Sequence, residues 1–194
     1  MTRRSLLDRL KSDLGERRAM AIFSSTNGAL SIAIMASIDY LTDAPFIFPS
    51  LGPSAFLFFS HPMAPASSPR NTVLGHLVGG TCGLLSLAVF GLLGERSILI
   101  TGVDTPRILA AGLSVALTSG LLVYLELEHP PALATTLILS LGFMRSVPEL
   151  AILMLAVGLI TVQAIAINRR AGFPYPLWEP RPETETGNHD DEKP

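Results

Sequence analysis

Cysteine and charged side chains are scarce in this sequence. Charged residues occupy 15% of the 194 positions, against about 25% in soluble domains. The single cysteine, Cys82, excludes an intrachain disulfide and a cysteine cluster for a metal. The sequence also lacks a nucleophile–base motif, a cofactor fingerprint and a basic patch interleaved with aromatic residues. We therefore expect neither an enzyme nor a nucleic-acid-binding protein, and no bound metal or cofactor.

The few charges are unevenly distributed. Of the 14 Lys and Arg residues, six precede Ala19 and four follow Ile167. Long uncharged runs fill the chain between them, and four are long enough to span a bilayer: 19–38, 71–94, 108–125 and 150–168. A transmembrane helix needs about 20 mainly apolar residues. The sequence therefore predicts an all-α integral membrane protein with four long transmembrane helices.

The two ends of the chain predict its orientation. Residues 1–18 read as a basic amphipathic helix lying on the membrane surface, and Arg169 and Arg170 end the last span. Because Lys and Arg mark cytoplasmic segments, both termini should be cytoplasmic in a multi-pass inner-membrane protein. Residues 171–194 are rich in proline and acidic residues and predict a disordered tail. The membrane domain is then 19–170, with similar halves at about 19–94 and 106–168.

Proline positions predict two further, short helices. Proline is tolerated at the first position of a helix but not in its interior. Gly52-Pro53 and His129-Pro130-Pro131-Ala132 should therefore each start a short helix inside an apolar segment. If these helices cross the membrane, the two halves have three passes each and opposite orientation. If they re-enter on the same side, four spans remain and the halves run parallel.

Small residues recur every fourth position in two of the long helices. They are Gly75, Gly79 and Gly83 in one, and Gly112, Ala116 and Gly120 in the other. This spacing lets two helices approach closely, so we expect these faces to pack against the short helices. Since so few helices enclose little volume, we also expect a homo-oligomer.

The starts of the short helices predict an anion site. A helix N-terminus combines free N–H donors with the positive end of the helix dipole, and transporters aim such ends at anions. The candidate residues are Gly52, Pro53, Ser54, Pro130, Pro131, Ala132 and Thr135, together with His76, His129, Arg70 and Asn71. His129 is expected to supply a neutralising charge, and Arg70 to raise the local anion concentration.

Each polar candidate also has a purely structural interpretation. His129 could cap a helix beside Glu126 or Glu128, and His76 could be a packed interior histidine. Arg70 could bind lipid phosphate at the interface. The hydroxyl groups of Ser54 and Thr135 could bond back to their own helices.

Three ordered motifs resemble the HPP family of integral membrane proteins. They are Phe48-Pro49-Ser50-Leu51-Gly52-Pro53-Ser54-Ala55, Ser68-Pro69-Arg70-Asn71-Thr72 with Gly75-His76, and His129-Pro130-Pro131-Ala132. The resemblance covers about residues 20–168 and implies four transmembrane helices and a transporter role. Plastid and cyanobacterial relatives are associated with nitrite transport. Leu133 stands where the family pattern has glycine.

The residues and the resemblance together predict a transporter or channel for a small inorganic anion, with nitrite as the first candidate. The alternative is a non-transporting membrane subunit or scaffold that packs a partner through its glycine-rich helix faces.

Overall fold

A computed structural model of the chain describes residues 5–180. Within that range the chain forms helices and no strands. The helices are α1 (Leu6–Leu14), α2 (Glu16–Thr42), α3 (Leu51–Ser60), α4 (Pro69–Val89), α5 (Ile98–Thr101), α6 (Thr105–Tyr124), α7 (Pro131–Ser140) and α8 (Val147–Arg170), with a 3-10 turn at Pro65–Ser67. Residues 1–4 of the predicted basic helix and 181–194 of the predicted tail lie outside the described residues.

Four helices are long and apolar enough to cross a membrane, as predicted. They are α2, α4, α6 and α8. Side-chain caps and prolines fix where three of them begin. Ser68 caps α4 through the N–H of Asn71, Asp104 caps α6 through the N–H of Arg107, and Ser146 and Glu149 form a capping box at the start of α8. Each of these three helices also has proline in its first turn.

The short helices predicted at Gly52-Pro53 and at His129-Pro130-Pro131 are α3 and α7. Each has ten residues and is therefore about 15 Å long, roughly half the thickness of the hydrocarbon core. We call α3 and α7 the half-helices.

One face of the bundle, which we call the proximal face, carries the start of α2 and the end of α8. The rings of Phe23 and Phe173 there lie 5.9 Å apart between centroids. The half-helix α3 ends at this face, because Asn168 Nδ2 donates to the carbonyl oxygen of Phe58 over 3.0 Å. Helix α4 begins there too, since the Arg70 N–H donates to the carbonyl oxygen of Trp178.

The opposite, distal face carries the start of α6, the end of α7 and the start of α8. Arg107 Nη1 donates to the carbonyl oxygen of Ser140 over 3.3 Å. The Ile98 N–H donates to the carbonyl oxygen of Leu141, which brings α5 to the same place. Arg145 bonds through its side chain to the carbonyl oxygen of Glu95, so the connection after α4 also lies there.

These positions give the two halves opposite orientations. Helix α2 runs from the proximal to the distal face, residues 43–60 return, and α4 runs to the distal face again. Helix α6 then runs to the proximal face, residues 125–140 return to the distal face, and α8 ends at the proximal one. Each return consists of irregular chain followed by a half-helix. Of the two arrangements that the sequence left open, the structure has the inverted one.

Helix α4 is the centre of the bundle and packs against α6, α7 and α8. Its glycine face receives α7, as expected. A Cβ at Gly83 would lie 2.6 Å from Leu139 Cβ, and one at Gly75 would lie 2.9 Å from His129 Cβ. The expectation for α6 was wrong: Gly112 and Gly120 are exposed and a Cβ at either would meet nothing within 4 Å.

Candidate functional site

The starts of the half-helices meet at a buried polar cluster. Its members are Ser54 in α3, His76 in α4, and His129 and Thr135 around the start of α7, and none is more than 1% exposed. Ser54 Oγ lies 3.0 Å from His76 Nε2 and 3.1 Å from His129 Nε2. The two Nε2 atoms lie 3.1 Å apart. Three polar atoms from three elements therefore converge on one point.

The outer nitrogen of each ring is held by a further partner. His76 Nδ1 lies 2.7 Å from Thr135 Oγ1. His129 Nδ1 lies 2.8 Å from the carbonyl oxygen of Ala66, in the connection between α3 and α4. Thr72 Oγ1 is 3.5 Å from the same nitrogen. Both rings are thereby fixed in orientation.

These partners assign the protons of the neutral cluster. A carbonyl oxygen only accepts, so His129 Nδ1 carries a hydrogen and its Nε2 is an acceptor. His76 Nε2 can then donate to His129 Nε2, while His76 Nδ1 accepts from the Thr135 hydroxyl. The Ser54 hydroxyl reaches the carbonyl oxygen of Ser50 over 3.1 Å. Hydrogen bonds thus run in one direction, from Thr135 through both histidines to Ala66.

The neutral cluster can accept one further proton. His76 Nδ1 is the acceptor at the start of the chain of hydrogen bonds, and its partner Thr135 is a hydroxyl that can either donate or accept. A proton added at His76 Nδ1 would turn that nitrogen into a donor toward Thr135 Oγ1 and leave the other bonds in place. No Asp or Glu side chain among residues 5–180 is hydrogen-bonded to the cluster, so the added charge would lack a fixed counter-ion.

The backbone groups predicted to bind an anion have other partners at α7. The Ala132 N–H donates to the carbonyl oxygen of His129, and the Leu133 N–H donates to that of Pro130. Pro130 and Pro131 have no N–H to offer. Side chains, rather than these N–H groups, face the polar cluster. At α3, Gly52 and Pro53 are exposed, whereas Ser54 is buried.

Arg70 and Asn71 lie in the first turn of α4 and make their hydrogen bonds outside the cluster. Asn71 Nδ2 donates to the carbonyl oxygen of Pro65 over 3.1 Å. Arg70 Nη1 donates to Asn71 Oδ1 over 3.2 Å. In this structure the pair supports the connection that carries Ala66.

The sequence interpretation missed two contributors. Ala66 acts through its backbone, which leaves no signal in residue type. Arg107 is 1% exposed and donates to the carbonyl oxygens of Ser140 and Arg96. Arg107 does have a sequence signal, because it directly precedes the uncharged run 108–125.

A groove of about 570 Å³ adjoins His129. It lies between the end of α6, the start of α7 and Ala66, and its lining includes Glu126, Glu128 and Leu133. A larger groove of about 980 Å³ lies between α2 and α3 and reaches Gly52, and its lining does not include His76 or His129. Residues 5–180 contain no group of three His, Cys, Asp or Glu side chains that would hold a metal ion.

Comparison with known proteins gives one family. The family model described as HPP, transmembrane region, matches residues 15–176. A transmembrane protein of Dictyostelium discoideum is 29% identical over 113 residues, which cover 56% of this chain and 33% of that protein. The chain thus spans about a third of the length of this curated relative. No solved structure matches the chain significantly.

Proposed function

The chain belongs to the HPP transmembrane-region family, and on that premise we propose that it moves a small inorganic anion across a membrane, nitrite being the first candidate. One observation carries the proposal: two half-helices of opposite direction begin at a shared buried cluster of Ser54, His76 and His129. Inverted halves with broken helices that meet inside the bundle are a common plan of secondary transporters.

The electrostatics of the cluster favour an anion once a proton is present. Each half-helix directs the positive end of its dipole toward the cluster, which is equivalent to about half an elementary charge at each N-terminus. A proton on the histidine pair adds a full charge, with no carboxylate in the described chain bonded to it. Burying one charge without a partner is costly, so a protonated pair and an anion stabilise each other. Transport would then move an anion and a proton together.

The chemistry of the cluster suits a small oxyanion. The Ser54 hydroxyl and the Nε2–H group of His76 are the donors in the middle of the cluster, and their heavy atoms lie 3.0 Å apart. Nitrite and formate are small oxyanions that accept hydrogen bonds through two oxygens. Chloride offers no directed acceptors, so it should compete less well.

The charged ends of the bundle support a cytoplasmic proximal face. Arg17 and Arg18 lie in the first turn of α2, and Arg169 and Arg170 end α8 at the same face. By the positive-inside rule both termini are cytoplasmic, in a bacterial inner membrane.

Uptake by proteoliposomes tests the proposal. The purified protein is reconstituted, and nitrite, nitrate, formate and chloride uptake are compared with and without an inward proton gradient. We expect nitrite or formate flux that rises with the gradient and is lost in His129→Ala. His61→Ala is the matched control, because His61 is exposed at the end of α3. If none of the four anions exceeds the flux into empty vesicles, transport is excluded.

The alternative is a non-transporting membrane subunit. The Gly75, Gly79 and Gly83 face is occupied by α7, which leaves it no room for a partner. The exposed face of Gly112, Ala116 and Gly120 on α6 favours association with a second copy. A homo-oligomer is compatible with transport through each subunit. Light scattering in detergent measures whether Gly112→Leu still forms the oligomer. A variant that loses the oligomer but keeps its flux would show that transport does not require assembly.

A further inference from the structure

The groove beside His129 differs in charge from the cluster behind it. It opens where α6 ends, and its lining includes the exposed residues Glu126 and Glu128 but no Lys or Arg. Two carboxylates at the sides of a narrow groove repel anions and raise the local concentration of cations and protons. An anion therefore has an unfavourable approach to the histidines by this route, and a proton has a favourable one.

His129 is the point at which this groove meets the cluster. Its ring is only 1% exposed, yet it forms part of the groove wall together with Ala66. The ring nitrogen bonded to Ala66 is Nδ1, whereas Nε2 faces His76 and Ser54. One imidazole thus has one nitrogen toward the groove wall and the other toward the cluster.

We propose that the groove lined by Glu126 and Glu128 is the path by which protons pass between the proximal face and the His76–His129 pair. The inference rests on the proposed function of the pair as a proton-coupled anion site, and it adds the route and the residues that serve it. The anion uses another route.

The proton transfer conserves hydrogens and charge and uses only the two histidines and water in the groove. In the protonated pair, His76 carries hydrogens on both nitrogens and His129 carries one on Nδ1. The His129 Nδ1 hydrogen leaves to water in the groove, and the His76 Nε2 hydrogen moves to His129 Nε2. His76 keeps its Nδ1 hydrogen, bonded to Thr135, and His129 keeps one on Nε2. The pair changes from one positive charge to none and is left in its other neutral tautomer, in which His129 Nδ1 accepts from water in the groove instead of donating to Ala66. Loading from the groove starts from this tautomer and is the reverse.

Few other charged groups face His129. Helix α4 contributes His76 and the Thr72 hydroxyl, and the connection 125–130 contributes Glu126 and Glu128. Helix α3 contributes the Ser54 hydroxyl, and the connection before α4 contributes the Ala66 carbonyl. The Thr135 hydroxyl of α7 bonds to His76 rather than to His129. Arg70, in the first turn of α4, hydrogen-bonds to Asn71.

Transport with an internal pH dye tests the inference. Proteoliposomes carrying the Glu126→Gln/Glu128→Gln variant receive nitrite with an inward proton gradient, and internal acidification and nitrite uptake are recorded together. We expect both gradient-driven rates to fall by about tenfold or more, while nitrite counterflow at equal pH stays close to the unmodified rate. Glu95→Gln is the matched control, because Glu95 is an exposed carboxylate at the distal face.

Each result separates this inference from the proposed function. Unchanged gradient-driven acidification in the double variant would overturn the groove as the proton path. Faster nitrite uptake by Glu126→Lys/Glu128→Lys would also overturn it, because the anion would then be entering through the groove. Flux in the unmodified protein that ignores the proton gradient defeats this inference and the proton coupling, but it leaves anion transport in place. Absence of any flux in the unmodified protein defeats the proposed function instead. Retained counterflow in the double variant shows that the variant is folded.

Discussion

Ser54 Oγ lies 3.1 Å from His129 Nε2, and the two residues belong to opposite halves of the chain. This contact joins α3 to the start of α7, where the half-helices themselves share few contacts. His76 in the central helix completes the triangle. The polar cluster is therefore the place at which the two inverted halves are coupled.

Ser54→Ala should reduce anion flux without unfolding the protein. The change removes a hydroxyl that contacts both histidines, and the small alanine fits the same helix position. A hydrogen bond to a charged group contributes about 1.5–3 kcal/mol, so flux should fall by about 10- to 100-fold. Uptake by proteoliposomes measures the effect. Ser60→Ala in the same helix is the control, because its hydroxyl bonds to the carbonyl oxygen of Phe56 and to His61 Nδ1 rather than to His76 or His129. Equal losses in both variants would contradict the assignment.

Gly83→Ala should destabilise the bundle. A Cβ at this position would lie 2.6 Å from Leu139 Cβ and 2.8 Å from the carbonyl oxygen of Thr136, so α7 would have to move. Overpacking costs about 1–3 kcal/mol, which corresponds to a fall in Tm of about 2–4 °C per kcal/mol for a chain of this size. Thermal unfolding in detergent measures it. Gly158→Ala in α8, where a Cβ meets nothing within 4 Å, should not lower Tm, and a similar fall there would refute the packing argument.

Most of the fold could be predicted from local sequence. Apolar length predicted the four long helices, and proline at first helical positions predicted both half-helices. The direction of each half could not be predicted, because it depends on which face receives the ends of α3 and α7. Those ends are fixed by contacts between distant residues, such as Asn168 with Phe58 and Arg107 with Ser140. The sequence gives no distance between such pairs.

The sequence predicted which residues form the candidate site better than it predicted how they are arranged. Ser54, His76, His129 and Thr135 are brought together, whereas Arg70 and Asn71 bond elsewhere. The difference follows from position in α4. His76 lies two turns inside the helix beside the glycine face, and Arg70 and Asn71 are in the first turn, where partners from the adjoining connections are available. The groove lined by Leu133 could not be predicted either, because its shape depends on how the neighbouring helices pack.

Arg107→Leu should weaken the distal end of the bundle. The guanidinium group bonds to the carbonyl oxygens of Ser140 and Arg96 and is 1% exposed. A cation at the C-terminal end of α7 also complements the helix dipole. Leaving buried carbonyl groups without donors costs about 1–3 kcal/mol. Tm in detergent tests this, with Arg96→Gln as the control because its side chain is exposed.

Arg107→Lys distinguishes charge from geometry at this position. Lysine keeps the positive charge at the end of α7 but lacks the planar fork that reaches two carbonyl oxygens. We expect a Tm between those of the unmodified protein and Arg107→Leu. A leucine variant as stable as the unmodified protein would mean that the cost of burying the charge cancels its hydrogen bonds.

Tyr175 should make stability depend on alkaline pH. Its hydroxyl is buried and donates to the carbonyl oxygen of Ser67, and burial raises its pKa above the ordinary value of 10.0. Above pH 10 the unfolded chain therefore loses this proton while the folded chain keeps it, so the free energy of unfolding falls as pH rises. Below pH 10 the phenol is neutral in both states, and the hydrogen bond stabilises the fold by about 0.5–1.5 kcal/mol.

Tyr175→Phe should thus have a lower Tm than the unmodified protein at pH 8, and the gap should close as pH passes 10. Tyr124→Phe, at a side chain that is 82% exposed, should show neither effect, and a gap for Tyr175→Phe that persists at pH 11 would mean that the phenol ionises equally in both states.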